Sequence, residues 1–177
     1  HPYGRFANPT VEACEAALSA LEGAPCLGFP SGMAACTAAL MAATKPGDTV
    51  LVPSDGYYTV RLLLSEFLSA GGRAMRTAPT AEFDSIALDG IDVVWAETPS
   101  NPGLDQCNIS RLAERCKPAG ICLIVDNTTA TPLLQQPLEL GADVVVSSDT
   151  KALAGHSDVL FGHIATRDDT VLEAARS

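Results

Sequence analysis

"ICLIVDNTTATPLLQQPLELGADVVVSSDTK", residues 121–151, holds two short apolar runs, each ending in a polar cluster, with a helical pattern at roughly 133–140 between them. The runs "ICLIVD" (121–126) and "DVVVSS" (143–148) are apolar at successive positions, as strands covered on both faces are. A strand, a crossover helix and a second strand predict parallel pairing. Asp126 and Lys151 then fall at the carboxyl ends of neighbouring strands, on one rim of a sheet.

The same grammar extends outward. "TVLVP" (49–53), "IDVVWA" (91–96) and "LFGHIAT" (160–166) read as further strands. Helical patterns cover 11–23, 31–44, 58–70 and 109–118. In the first, Val11, Cys14, Leu18 and Leu21 share a face; in the third, Val60, Leu63, Leu64 and Phe67 form the apolar stripe. The expectation is an α/β fold, a mainly parallel sheet with helices on both faces. The 177 residues suit one domain, without repeats or linker-like tracts. Its first residues read as mid-domain, so an incomplete domain is expected.

Composition narrows the function. Eleven Lys and Arg against 21 Asp and Glu give a net charge of −10, which argues against nucleic acid and against an anionic membrane surface. No apolar run approaches a bilayer span, and "HPYGRFANPT" is no secretory leader. Six cysteines lack CxxC or zinc-like spacing and read as free, buried thiols, which favours the cytoplasm. His1, His156 and His163 have no i,i+4 partner, so no metal site is expected.

Chemistry should gather at the strand ends. There stand Glu97 with "TPSNP", Asp126-Asn127, and Ser148, Thr150 and Lys151. Singly, each has an ordinary explanation: a helix cap, a turn former, a surface charge. "SGMAA", with Gly32 and Met33 behind Ser31, is an N-cap that can also hold an anion on free helix amides. The adjacent Ser157, His156 and Asp158 cannot easily converge into a triad. Together, an amine, a carboxylate, an aromatic ring and a phosphate cup fit one aldehyde cofactor, pyridoxal 5′-phosphate (PLP).

At these residues the chain resembles the PLP-dependent Cys/Met-metabolism family, through "YGRFANPT", "FPSGMAA", "SDGYYTVR", "ETPSNP", "DNTTATP" and "SSDTKALAGHSDVLFG", in that order. The resemblance implies the large PLP-binding domain of a fold-type I, aspartate-aminotransferase-like enzyme. It implies that Lys151 is the Schiff-base lysine and that Asp126 pairs with the pyridine nitrogen. It assigns the phosphate to Ser148, Thr150, Gly32 and Met33, the ring face to Tyr57 (with Tyr58 as the alternative), and the ring hydroxyl to Asn101. Tyr3 and Arg5 would reach a neighbouring subunit's phosphate site, which implies a homo-oligomer. Arg61 would serve an amino-acid substrate, pointing to γ-elimination from cystathionine or a related sulfur amino acid, with γ-replacement second. Thr128 departs from the phenylalanine that the family often has. Family chains are about twice this length, so an amino-terminal arm and a carboxy-terminal domain are expected to lie outside it.

Overall fold

The structure, a computed structural model, describes residues 8–176. Seven strands form one sheet: β1 (Cys26–Phe29), β2 (Thr49–Pro53), β3 (Ala74–Ala78), β4 (Val93–Glu97), β5 (Cys122–Asp126), β6 (Val144–Ser147) and β7 (Gly162–Thr166). Their spatial order is β1-β7-β6-β5-β4-β2-β3. β7 runs antiparallel to both its neighbours, while β2–β3, β2–β4, β4–β5 and β5–β6 pair in parallel. Glu97 and Asp126 are register partners, so both carboxylates reach the same edge.

Helices cover both faces. On one lie α2 (Gly32–Ala43), α3 (Tyr58–Leu62) and α6 (Asp169–Arg176), packed on Val52, Trp95, Ile124, Val146 and Ile164. On the other, α1 (Pro9–Glu22) packs on Val145 and Ala165, and α4 (Ile109–Cys116) on Val94, Leu123 and Val125. Alternate residues of each strand therefore feed opposite cores, which explains why the strands are apolar throughout. α1 starts as its sequence dictates: the Asn8 side chain accepts from the Thr10 N–H at 2.9 Å, and Pro9 supplies a preset φ.

Several expectations needed correction. β1 and β3 escaped notice because "CLGF" is short and carries a glycine, while "AMRTA" lies at the sheet edge with exposed positions. The helix expected over 133–140 is the single turn α5 (Thr131–Leu134), ended by an extended Gln135. The 58–70 helix becomes π-helical over Leu63–Leu68. That wider turn shifts the buried stripe to Val60, Leu64 and Leu68 and leaves Phe67 69% exposed. In α1, Leu18 and Glu22 are buried, whereas Val11, Cys14 and Leu21 are exposed. All six cysteines are free. Among the described residues, no helix is long and apolar enough to cross a membrane.

Candidate active site

A cavity of about 220 Å³ opens where β4, β5 and β6 end and α2 begins. Its wall includes Gly32, Met33, Tyr57, Asn101, Asp126, Ser148, Thr150 and Lys151, residues scattered over the whole sequence. Eight expected site residues thus meet in one place. Tyr3 and Arg5 lie outside the described residues.

The floor is acidic. Asp126, the last residue of β5, is 7% exposed, and burial pushes its carboxyl above the usual range despite hydrogen bonds from Thr128. Beside it, Glu97 ends β4 and is pushed up to about 7, first by burial and then by the charge of Asp126. Its Oε2 accepts from the Tyr57 N–H at 2.6 Å, and its Oε1 from the Asn101 N–H at 2.8 Å. Glu97 thus clamps the two loops that carry Tyr57 and Asn101. The strand-end position of Glu97 before "TPSNP" is legible in the sequence, whereas its two amide partners are not.

One end of the cavity is shaped for an anion. Ser31 caps α2, its hydroxyl accepting from the Ala34 N–H at 3.1 Å. The first amides of the helix, those of Gly32 and Met33, are the ones that α-helical geometry leaves without intrahelical partners. A Cβ on Gly32 would come within 2.5 Å of the Ser148 Cβ and 2.9 Å of its Cα, so only glycine permits this approach. Thr128, also in the wall, joins the two ends: its N–H donates to Asp126 Oδ1 at 3.0 Å, and its hydroxyl accepts from the Ser148 N–H at 2.8 Å.

Thr150 lines the cavity with its hydroxyl already engaged, and Arg61 is placed outside it. The Thr150 hydroxyl already donates to the Phe161 carbonyl and accepts from the Phe161 N–H, both at 3.0 Å. Serving an anion would require it to exchange the first bond. Arg61 does not line the cavity: its Nη1 donates to the carbonyls of Pro53 at 3.0 Å and Gly56 at 2.8 Å. One turn into α3, the side chain folds back on the loop before Tyr57 because those carbonyls lie within its reach. Tyr57 does line the cavity; Tyr58 begins α3, is 61% exposed, and meets the Tyr57 ring edge-on at 5.5 Å. Lys151 stands exposed on the lip.

A buried carboxyl without an ion-pair partner among the described residues, a helix N-terminus pressed against a serine and a lysine on the lip fit PLP in charge and kind. The fold and the site define a PLP-binding domain of fold type I. Over residues 1–177 the sequence matches the family of Cys/Met metabolism PLP-dependent enzymes, and the chain belongs to it. It is 47% identical to a putative cystathionine gamma-lyase of Streptomyces coelicolor, covering 99% of this chain and 46% of that protein. It is 41% identical to cystathionine gamma-synthase of Mycobacterium tuberculosis, covering 97% and 45%. The structure superposes with a TM-score of 0.91 on cystathionine gamma synthase from Xanthomonas oryzae pv. oryzae in complex with cystathionine, at 35% identity over 98% of this chain and 46% of the other. An apo methionine gamma lyase from Micromonospora echinospora gives 0.90 at 39% identity, covering 98% and 48%. The chain spans about half the length of the curated relatives it matches.

Proposed function

We propose that this chain is the cofactor-binding part of a cytoplasmic, homo-oligomeric enzyme that cleaves cystathionine by γ-elimination, consuming one water and releasing cysteine, 2-oxobutanoate and ammonia. The observation that carries the proposal is the convergence of Lys151, Asp126 and the α2 N-terminus on one cavity. The 47% identity to a putative cystathionine gamma-lyase supports this choice of substrate. When bound, PLP supplies an electron-accepting ring conjugated to the substrate's α-carbon.

The residues divide the work. Asp126 would keep the pyridine nitrogen protonated, a charge-assisted bond worth roughly 1.5–3 kcal/mol. The Gly32 and Met33 amides with Ser148 would hold the phosphate, Tyr57 the ring face, and Asn101 the ring hydroxyl. Lys151, freed by the incoming amine and uncharged, would move protons between the substrate's α- and β-carbons. Tyr3 and Arg5 would complete a neighbouring subunit's site. Arg61 would act on substrate through the Tyr57 loop that it braces.

The second reading is γ-replacement, in which cysteine's thiol takes the γ-carbon of an O-acylhomoserine. The 41% identity to cystathionine gamma-synthase favours it. Methionine γ-elimination is the further variant, and a PLP-binding fragment without turnover is the non-enzymatic alternative. The test begins with PLP. The chain should develop a visible absorption band that Lys151→Ala lacks and that borohydride abolishes while fixing the cofactor covalently to Lys151; absence of the band in the wild type ends the cofactor reading. A full-length protein that binds PLP yet releases neither cysteine nor 2-oxobutanoate from cystathionine ends the γ-lyase reading; the same result with this chain alone means that the reading is wrong or that the domain outside it is required. The O-acylhomoserine-plus-cysteine assay then decides for or against the synthase.

A further inference from the structure

We infer that His163 is a positioning residue for the pocket: as an imidazolium between Glu22 and Asp149, it fixes the back of the Ser148–Lys151 segment and thereby the face presented to the ligand. The inference rests on reading the cavity as a PLP site. His163 lies on β7 and is fully buried. Its Nδ1 stands 2.9 and 2.8 Å from the two oxygens of Asp149, and its Nε2 stands 3.1 Å from Glu22 Oε1. A neutral imidazole carries one N–H, so it would turn a lone pair towards one of these carboxylates. An ionised carboxylate at each nitrogen is matched only when both nitrogens are protonated, which is the state that we infer. Glu22 closes α1 with its side chain fully buried, and its Oε2 has no hydrogen-bond partner among the described residues, so an ionised Glu22 depends on the imidazolium for its charge partner.

The titratable groups facing the imidazole are Glu22 from α1 and Asp149 from the segment after β6; Cys26, on β1, feels the same two carboxylates. Hydrogen bonds from the imidazole to Asp149 and Glu22 outweigh burial and raise its pKa to about 9.

The consequence lies on the other side of the segment. Asp149 sits between Ser148 and Thr150, which both line the cavity. Released from His163, its carboxylate could turn to the anion end and repel a phosphate there. The hold has a second point, since the Thr150 N–H donates to the Phe161 carbonyl at 3.1 Å. The start of β7 therefore grips the segment by backbone at Thr150 and by charge at Asp149.

Two measurements test this. ¹⁵N NMR of the imidazole should show both His163 nitrogens protonated at pH 7 and remaining so to the neighbourhood of pH 9. A neutral tautomer at pH 7 overturns the inference, with or without cofactor. The second measurement compares equilibrium affinities for PLP and for pyridoxal, which lacks the phosphate. His163→Leu should lower the PLP-to-pyridoxal affinity ratio by about tenfold or more, because the phosphate end loses its geometry and gains a mobile charge. Asp149→Asn keeps an acceptor for Nδ1 and should hold the ratio within about threefold of wild type. If His163→Leu does not fold, Asp149→Ala, which cuts the same tie without releasing a charge and leaves the His163–Glu22 pair, should lower the ratio by more than threefold through the lost geometry alone. A folded His163→Leu or Asp149→Ala chain with an unchanged ratio overturns the positioning role while leaving the cofactor reading intact. A wild-type chain that binds neither compound overturns both.

Discussion

Two pairs of buried acids sit at neighbouring ends of this sheet, and they are handled in opposite ways. Glu22 and Asp149 enclose a histidine whose side chain is fully buried, so the chain carries its own counterion. Glu97 and Asp126 are buried just as deeply, yet among the described residues no ion pair reaches either. Their partners are backbone amides and Thr128, and the nearby Arg61 is held by the carbonyls of Pro53 and Gly56. A buried carboxylate left without a cation is a standing cost to the fold. One pair shares an internal cation that offsets one of its two charges, and it shapes the back of the segment. The other lines a cavity with no ion-pair partner among the described residues, and burial pushes both carboxyls above their usual range, the arrangement expected where a ligand brings the positive charge.

Removing the internal counterion should have the largest effect on the fold. His163→Leu leaves two carboxylates buried and unpaired, and should lower unfolding stability by about 3–5 kcal/mol. Chemical denaturation at pH 7 checks this. A loss under about 1 kcal/mol would mean that the acids find water or each other's proton, and the contrast between the pairs would dissolve.

The pH dependence separates the pairs without mutation. Glu97 has its folded pKa raised from 4.5 to about 7, so its contribution is full below 4.5 and is lost as pH rises through about 7. His163 is raised from 6.5 to about 9, so its contribution is full below 6.5 and is lost as pH rises through about 9. Each shift corresponds to roughly 3 kcal/mol. Urea midpoints of the ligand-free chain should therefore fall in two steps as pH rises. Saturating PLP should flatten the lower step, because a cation then faces the Glu97–Asp126 pair. The upper step should persist with PLP and vanish in His163→Leu. A PLP-insensitive lower step would detach Glu97 from the ligand site.

Asp126→Asn should split fold from function. Losing a buried, unpaired charge should raise the stability of the ligand-free chain, while PLP affinity falls by roughly 1.5–3 kcal/mol, about 10- to 100-fold. Thermal unfolding with and without PLP reads both signs at once. A variant destabilised in both states would show that the carboxylate serves the fold, as Asp149 does.

The sequence revealed the pair that faces the cavity and hid the pair that does not, for a physical reason. Asp126 and Lys151 end or follow runs such as "CLIVD" and "VVVSS", where local pattern alone puts polar groups on the carboxyl-end rim of the sheet. Glu22, Asp149 and His163 come from a helix end, a loop and an antiparallel strand, and nothing local says that they meet. The same limit applies to Arg61, whose position on α3 was legible while its choice of backbone carbonyls over the cavity was not. β3 was missed because an edge strand with exposed positions lacks the apolar run that marks the central strands. Glu97 was seen and left without a role, since clamping the Tyr57 and Asn101 amides depends on two loops folding back.

Thr128 offers the smallest and most discriminating perturbation, because it ties the acidic floor to the anion end. Its N–H and hydroxyl both serve Asp126, and the hydroxyl also accepts from the Ser148 N–H. Thr128→Val keeps shape and volume and deletes the hydroxyl, leaving the Ser148 amide short of an acceptor at a cost of about 1–2 kcal/mol. PLP affinity should fall several-fold. In a double-mutant cycle with Asp126→Asn the two effects should fall short of additive, because part of what Thr128 supplies is its bond to that carboxylate. Strict additivity would mean that Thr128 acts through Ser148 alone. The acidic floor and the anion end would then be two independent half-sites, and the cavity pair would stand as isolated from the phosphate end as Glu22 is from the cavity.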